Sequence, residues 1–218
     1  MKTALLASAL VAFAGSAAMA ADVTYSGTLP IAITNWNSAV TLPQFDNTPT
    51  GPFAGFILTG VQLTLTGNVE GAVRLESLDA AAATLNYNLQ ATLNFTGPGG
   101  GAVVAIPTAS GNFNATIFDG TIDFGGTSGV TLLGLAGTDT QSASPFVFAP
   151  YEGSGMVNFN LNALGTSNGS GAGNLLQQFN TSAGAEYSIK YTYIIPTPSA
   201  AALLGLGGLV ATRRRRAR

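Results

Sequence analysis

Two carboxylates four residues apart, Asp119 and Asp123 in the run FDGTIDFGG, come nearest to a catalytic pair in this 218-residue chain. Glycoside hydrolysis needs two acids about 5 to 9.5 Å apart, one protonating the leaving oxygen and the other attacking or activating water. On an extended strand a gap of four spans about 13 Å, so the pair meets that need only if a turn at Asp119-Gly120 folds it back. Glu70 and Glu76 flank a strand and form a second, more distant pair. The simpler reading of Asp119 and Asp123, and the one expected here, is that each carboxylate accepts backbone N–H groups within a turn. The same oxygens are hard ligands of the kind calcium takes, although their spacing matches no EF-hand.

Other chemistries are excluded by composition. The chain has no His and no Cys, which removes Ser-His-Asp and Cys-His nucleophile systems, ordinary zinc or copper sites, and any disulfide framework. No nucleophile elbow or Walker loop is present, and the GPGGG run, Gly97 to Gly101, lacks the Lys and the following helix of a phosphate cradle. It reads as a hairpin turn. Trp36, the single tryptophan, sits in TNWNS among amides and hydroxyls. Such a ring suits stacking on a sugar, its flat face meeting C–H groups. The competing and preferred reading packs Trp36 at a core edge with its indole N–H on a backbone oxygen. Tyr151 and Glu152 in APYEGSG are a fainter candidate for the same role. The expectation is a noncatalytic protein, with a carbohydrate-binding module as the alternative and a secreted glycosidase third.

The elements that must position these residues are strands. From Ala83 to Phe95 every odd residue is apolar and every even one polar, a period of two that no helix produces. The same alternation runs through VQLTLTG (61–67), MVNFNLN (156–162) and YSIKYTYI (187–194). Shorter strands are predicted at Val23–Ile33, Ala72–Leu78, Val103–Ile106, Asn112–Phe118 and Pro145–Phe148. About nine to eleven antiparallel strands punctuated by Gly, Pro and Asn turns define an all-β sandwich, of which a jelly roll is one form. One segment departs from the pattern. GAGNLLQQFNTSAG places Leu175, Leu176 and Phe179 at helical spacing behind Asn174, so a short helix capped by Asn174 is predicted there, sealing one end of the sandwich. The run from Gly165 to Gly173 reads as a loop.

The two ends of the chain carry signals of another kind. A basic start, the apolar run ALLASALVAFAG and small residues at Ala18 and Ala20 read as a signal peptide over residues 1–20, cut by signal peptidase between Ala20 and Ala21. The last segment, 196–218, opens on Pro196-Thr197-Pro198, continues uncharged from Ser199 to Thr212, and ends on Arg213, Arg214, Arg215, Arg216 and Arg218. As a helix the uncharged run covers only ~21 Å of a hydrocarbon layer ~30 Å thick, a marginal span of the inner membrane. The arginines would stay cytoplasmic and leave residues 21–195, the sandwich domain, outside. That domain holds ten acids against Arg74 and Lys190, a formal charge of −8, which disfavours nucleic acid as a partner.

This three-part tail resembles the PEP-CTERM sorting signal of Gram-negative bacteria. The likeness implies recognition by an exosortase-like enzyme and delivery to the envelope, the cell surface or the extracellular matrix. Thr197 departs from the pattern, since the family usually carries Glu between its two prolines. The runs ITNWNSAVTLPQFD, LTGVQLTLTG, FDGTIDFGGTSG and GAGNLLQQFNTSAG, in that order, resemble the choice-of-anchor E domain, with NTPTGPFAG as an added loop. That likeness covers most of residues 23–195 and implies a bacterial surface domain with no transferable enzymatic activity. The resulting expectation is a structural or adhesive component of the envelope or exopolysaccharide matrix, with extracellular polysaccharide as a partner.

Overall fold

The structure is a computed structural model that describes residues 19–196. Ala18, Thr197, Pro198 and the arginines of the tail lie outside those residues. So do the body of the predicted signal peptide and the apolar run behind the sorting motif.

Ten strands run in chain order: β1 Met19–Ile33, β2 Trp36–Pro43, β3 Ile57–Ser77, β4 Ala83–Thr96, β5 Ala102–Ala105, β6 Thr108–Ala115, β7 Gly129–Ala143, β8 Met156–Gly165, β9 Asn168–Ser170 and β10 Leu175–Ile195. They form two antiparallel sheets packed as a sandwich. One has the order β1-β10-β3-β7, and the other β2-β8-β4-β5, with β6 and β9 also pairing β4. Strand β4 changes partners halfway. Its first half pairs β6 and β9, and its second half pairs β5 and β8. Pro107, which has no N–H to give, marks the break between β5 and β6, and its carbonyl still accepts from Ala91 N. With β5/β6 and β8/β9 each counted as one broken strand, the order is that of an eight-stranded jelly roll.

The alternation seen in the sequence is the alternation of burial. Leu85, Leu89, Ala91, Leu93 and Phe95 of β4 have no exposed surface, and they face Leu63, Leu65, Val69, Val73 and Leu75 of β3 across the interior. Val157, Phe159 and Leu161 of β8 and Ala183, Ala185, Ile189 and Tyr191 of β10 complete the core. Each Leu, Val or Phe buried in this way contributes ~1.5–3 kcal/mol relative to exposure. With no disulfide present, that burial and the strand ladders carry the stability. At the end where β1 begins, the loop between β2 and β3 folds Phe45 and Phe53 over the core. Their rings stack at 4.5 Å, and Tyr193 packs on both Phe45 and Phe56.

Several sequence expectations need correction. The predicted helix behind Asn174 is the first third of β10, in which Leu175–Asn180 pair with Ser77–Ala72 of β3. A ladder of that length outweighs helical spacing in a short segment. Asn174 is no helix cap, because its N–H and its side-chain amide both donate to Asp79 Oδ1. Pro145–Phe148 is a loop, in which Phe146 N and Val147 N both donate to Gly99 O and Phe146 is 91% exposed. The strand expected at Asn112–Phe118 ends at Ala115, and 116–118 open a long loop. The strands expected separately at 61–67 and Ala72–Leu78 are one strand, β3, so Glu70 and Glu76 lie within it. β2 and β7 have no counterpart among the predicted strands, and β9 falls inside the predicted loop.

Candidate functional site

Register fixes which residues share an end of the sandwich. Met19 pairs with Ile195 and Ala20 with Ile194, so the start of β1 and the finish of β10 lie side by side. Pro196 follows at once and is exposed. The predicted cleavage between Ala20 and Ala21 falls within β1, and cutting there removes only the Met19 and Ala20 pairings from the ladder. At the opposite end β3 finishes beside the start of β10, with Ser77 opposite Leu175, and beside the start of β7, with Glu76 opposite Gly129. The loops 78–82, 116–128 and 171–174 gather there.

That far end holds the acids singled out in the sequence. Asp119 Oδ1 accepts the N–H of Thr121 and Asp123 Oδ1 accepts the N–H of Gly125, each two residues on. Both side chains are exposed. Each spends an oxygen on its own turn, the arrangement that Asp favours in loops. Asp79 does the same over a longer range, taking the N–H groups of Gly173 and Asn174 and so tying the 171–174 loop to the end of β3. Among the described residues no three or more acidic side chains gather closely enough to hold a metal ion.

Glu76 is the residue that sequence reasoning missed. It has no exposed surface, although its even position in β3 puts it on the outward side of the sheet, where Gln62, Thr64 and Thr66 lie. The 116–128 loop covers it. Ser128 donates to Glu76 Oε1 at 2.6 Å, while Oε2 has no partner among the described residues. Gly129 leaves room for this carboxyl, since a Cβ there would run into Oε2. Enclosed in this way, Glu76 cannot meet a substrate, and Glu70 lies roughly 20 Å up the same strand. No local signal in the sequence marks Glu76 as covered, because its cover comes from some fifty residues further on.

Trp36 is half-buried and packs against the core, and its Nε1–H donates to Ala183 O at 3.2 Å. The indole is thereby tied to the sheet across from β2. Tyr151 is fully buried, with its hydroxyl on Pro98 O at 2.7 Å, and burial pushes its pKa up to about 12. Glu152 accepts from Asn47 Nδ2.

The outward faces carry a different kind of order. Thr64 pairs with Ser142 at 2.8 Å, Thr66 with Thr140 at 2.9 Å, and Thr138 donates to Asn68 at 2.8 Å, in a row across β3 and β7. The other sheet repeats the device, with Asn94 on Asn162 and Thr84 on Asn114. Cross-strand pairs of this type add to sheet stability and leave a surface rich in hydroxyls and amides and poor in charge.

No protein-family model matches this chain, and neither does any curated protein sequence. Two solved structures of infectious bursal disease virus overlap with it weakly. The Gt strain structure is 9% identical over 88% of this chain, at a TM-score of 0.15, and the Gx strain structure is 10% identical over 93%, at 0.17. The chain spans about half the length of those viral chains, 48% and 51%. Overlaps of that size relate neither fold nor function.

Proposed function

We propose that this chain is a noncatalytic, exported surface domain of a Gram-negative bacterium, a structural or adhesive component of its envelope or exopolysaccharide matrix. The observation that carries this reading is the outward surface, ordered rows of Thr, Ser and Asn that bond one another across strands. Such a surface is hydrated and charge-poor, suited to a polysaccharide gel. The placement of the termini supports the same reading. Ala20 lies beside Ile194, two residues before Pro196, so signal peptidase cutting after Ala20 and an exosortase-like enzyme acting near Pro196 would work at the same end of the domain. The resemblance of 196–218 to PEP-CTERM signals and of the domain to choice-of-anchor E modules points the same way. The tail would hold the inner membrane either transiently, until it is cut, or as a retained helix.

The test is expression of the full chain in a Gram-negative host that has an exosortase, followed by fractionation and mass spectrometry of its ends. The expected product begins at Ala21 and is found in the envelope or matrix. Removing Arg213–Arg218 should hold it back from that fraction. Recovery from the cytoplasm with both ends intact would overturn the reading.

A further inference from the structure

The outward face of the β1-β10-β3-β7 sheet is not flat. A groove of about 480 Å³ crosses it between Ile31, Glu70, Leu135 and Asn180, and a second depression of about 220 Å³ adjoins at Asn180, lined by Arg74, Leu133 and Gln178. Two irregularities frame it. The β1 register shifts between Leu29 and Ala32, and Ile31 comes to lie over Gly184 of β10. On the other side the β3–β7 register shifts between Gly71 and Val73, with Gly134 at φ +67°, a conformation that glycine adopts without strain. Bulges of this kind re-aim side chains, and they recur beside binding sites.

The side chains define what fits. Glu70 only accepts hydrogen bonds, Arg74 only donates them, and the Asn180 and Gln178 amides do both. Arg74 reaches only a long 3.4 Å bond to Gln178 Oε1, which leaves most of its fork free. Ile31 is 42% and Leu133 71% exposed, apolar surface set among those polar groups. Mixed donors and acceptors around small apolar patches complement a ligand that is dense in hydroxyls yet has C–H faces. The central strand β3 is paired through the groove by β10 on one side and β7 on the other, so it offers no free backbone to a peptide strand. A polyanion is opposed by the domain's charge of −8, ten acids against two cations. The groove is open to solvent on one side and not an enclosed cavity, so a chain can enter it laterally.

We propose that this groove binds a segment of a neutral hexose polysaccharide, with Glu70, Asn180 and Arg74 holding its hydroxyls and Ile31 and Leu133 its ring faces. The proposal deepens the surface-domain reading, which says where such a glycan would be met, but the binding is measured on purified protein and does not depend on location. The full chain is titrated calorimetrically with short oligomers of a glucan, a mannan and a galactan, and with an oligogalacturonate as the charged comparison. Saturable binding to at least one neutral oligomer is expected. Glu70→Ala and Asn180→Ala should each weaken it about tenfold or more, as loss of a hydrogen bond with a charged or amide partner does. Both side chains point outward, so circular dichroism and thermal midpoint should stay at the parent values. Trp36→Phe and Asp119→Asn should bind as the parent does. Binding to none of the neutral oligomers, preference for the oligogalacturonate, or loss in Trp36→Phe with Glu70→Ala unaffected would each overturn the proposal. A protein found in the cytoplasm that still bound the oligomer would sink the location reading and leave this one standing.

Discussion

The end of the sandwich where β1 begins and β10 finishes is closed by rings, Phe45, Phe53, Phe56, Tyr191 and Tyr193, whereas the far end is closed by hydrogen bonds that Glu76, Asp79, Asp119 and Asp123 accept from loop donors. Rings stabilise through area and packing, which tolerate small movements. Carboxylates stabilise through specific geometry, and at Glu76, the buried one of the four, a lost partner leaves an oxygen unpaired. The aromatic end sits where the chain enters and leaves, so it must hold two strands whose outer ends lead into further chain. The polar end holds three loops to one another and needs direction more than area. The same core is thus sealed in two ways, each matched to what it must hold.

That contrast can be broken at either end. The largest effect should come from Phe45→Ala, which empties a fully buried site between Phe53, Tyr191 and Tyr193. A loss of ~3–5 kcal/mol is expected, a fall in thermal midpoint of roughly 6–20 °C by calorimetry. A small change there would mean that the loop between β2 and β3 refills the space.

Second, the aromatic end should be the alkali-sensitive one. Burial raises the pKa of Tyr151 to about 12 and lifts that of Tyr191 further, with Tyr151 and Tyr25 nearby adding to the latter. In the unfolded chain both titrate near about 10. The folded state therefore binds these protons more tightly, so their contribution is complete below pH ~10 and is lost as the pH rises through ~12. Denaturant midpoints measured across that window should fall steadily. A flat profile would place the phenols in water.

The smallest effect belongs to the polar end. Ser128→Ala removes the one hydrogen-bond partner that Glu76 has among the described residues and should cost ~1–3 kcal/mol. Adding Glu76→Met to that variant should recover most of the loss, since removing both partners of a buried bond is nearly neutral. Failure of the second change to recover stability would show that the carboxyl has a partner beyond Ser128.

How legible each end was follows from how local its cause is. The alternation over Ala83–Phe95 reports burial residue by residue, because a strand packed on one face writes its period into its own sequence. The partner switch of β4 left no such trace, nor did the union of 61–67 and 72–78 into one strand, since both depend on residues far along the chain. Leu175, Leu176 and Phe179 misled by spacing alone. In the strand Leu175 and Phe179 turn inward while Leu176 stays 37% exposed. The turn role of Asp119 and Asp123 was readable from the tendency of Asp to accept backbone N–H groups in turns, and the anchoring of Trp36 from the scarcity of free indole N–H groups in folded chains. Glu76 and the groove at Asn180 were not readable. One needs a loop folded back from Ser128, and the other needs two register shifts on different strands.

The pairing of β1 with β10 has a mechanical consequence. If the chain is held through Pro196 and loaded at the far end or along the outward face, the pull runs down β10, which is bonded to β3 from Leu175 to Ile194 and to β1 from Ser182 to Ile195. Those bonds lie across the line of force and share it together, in shear, rather than opening one after another. A pull applied between the two chain termini would instead peel β1 from β10, starting at Met19 and Ile195. The sandwich therefore resists a load carried along β10 and yields to one applied between its first and last strands.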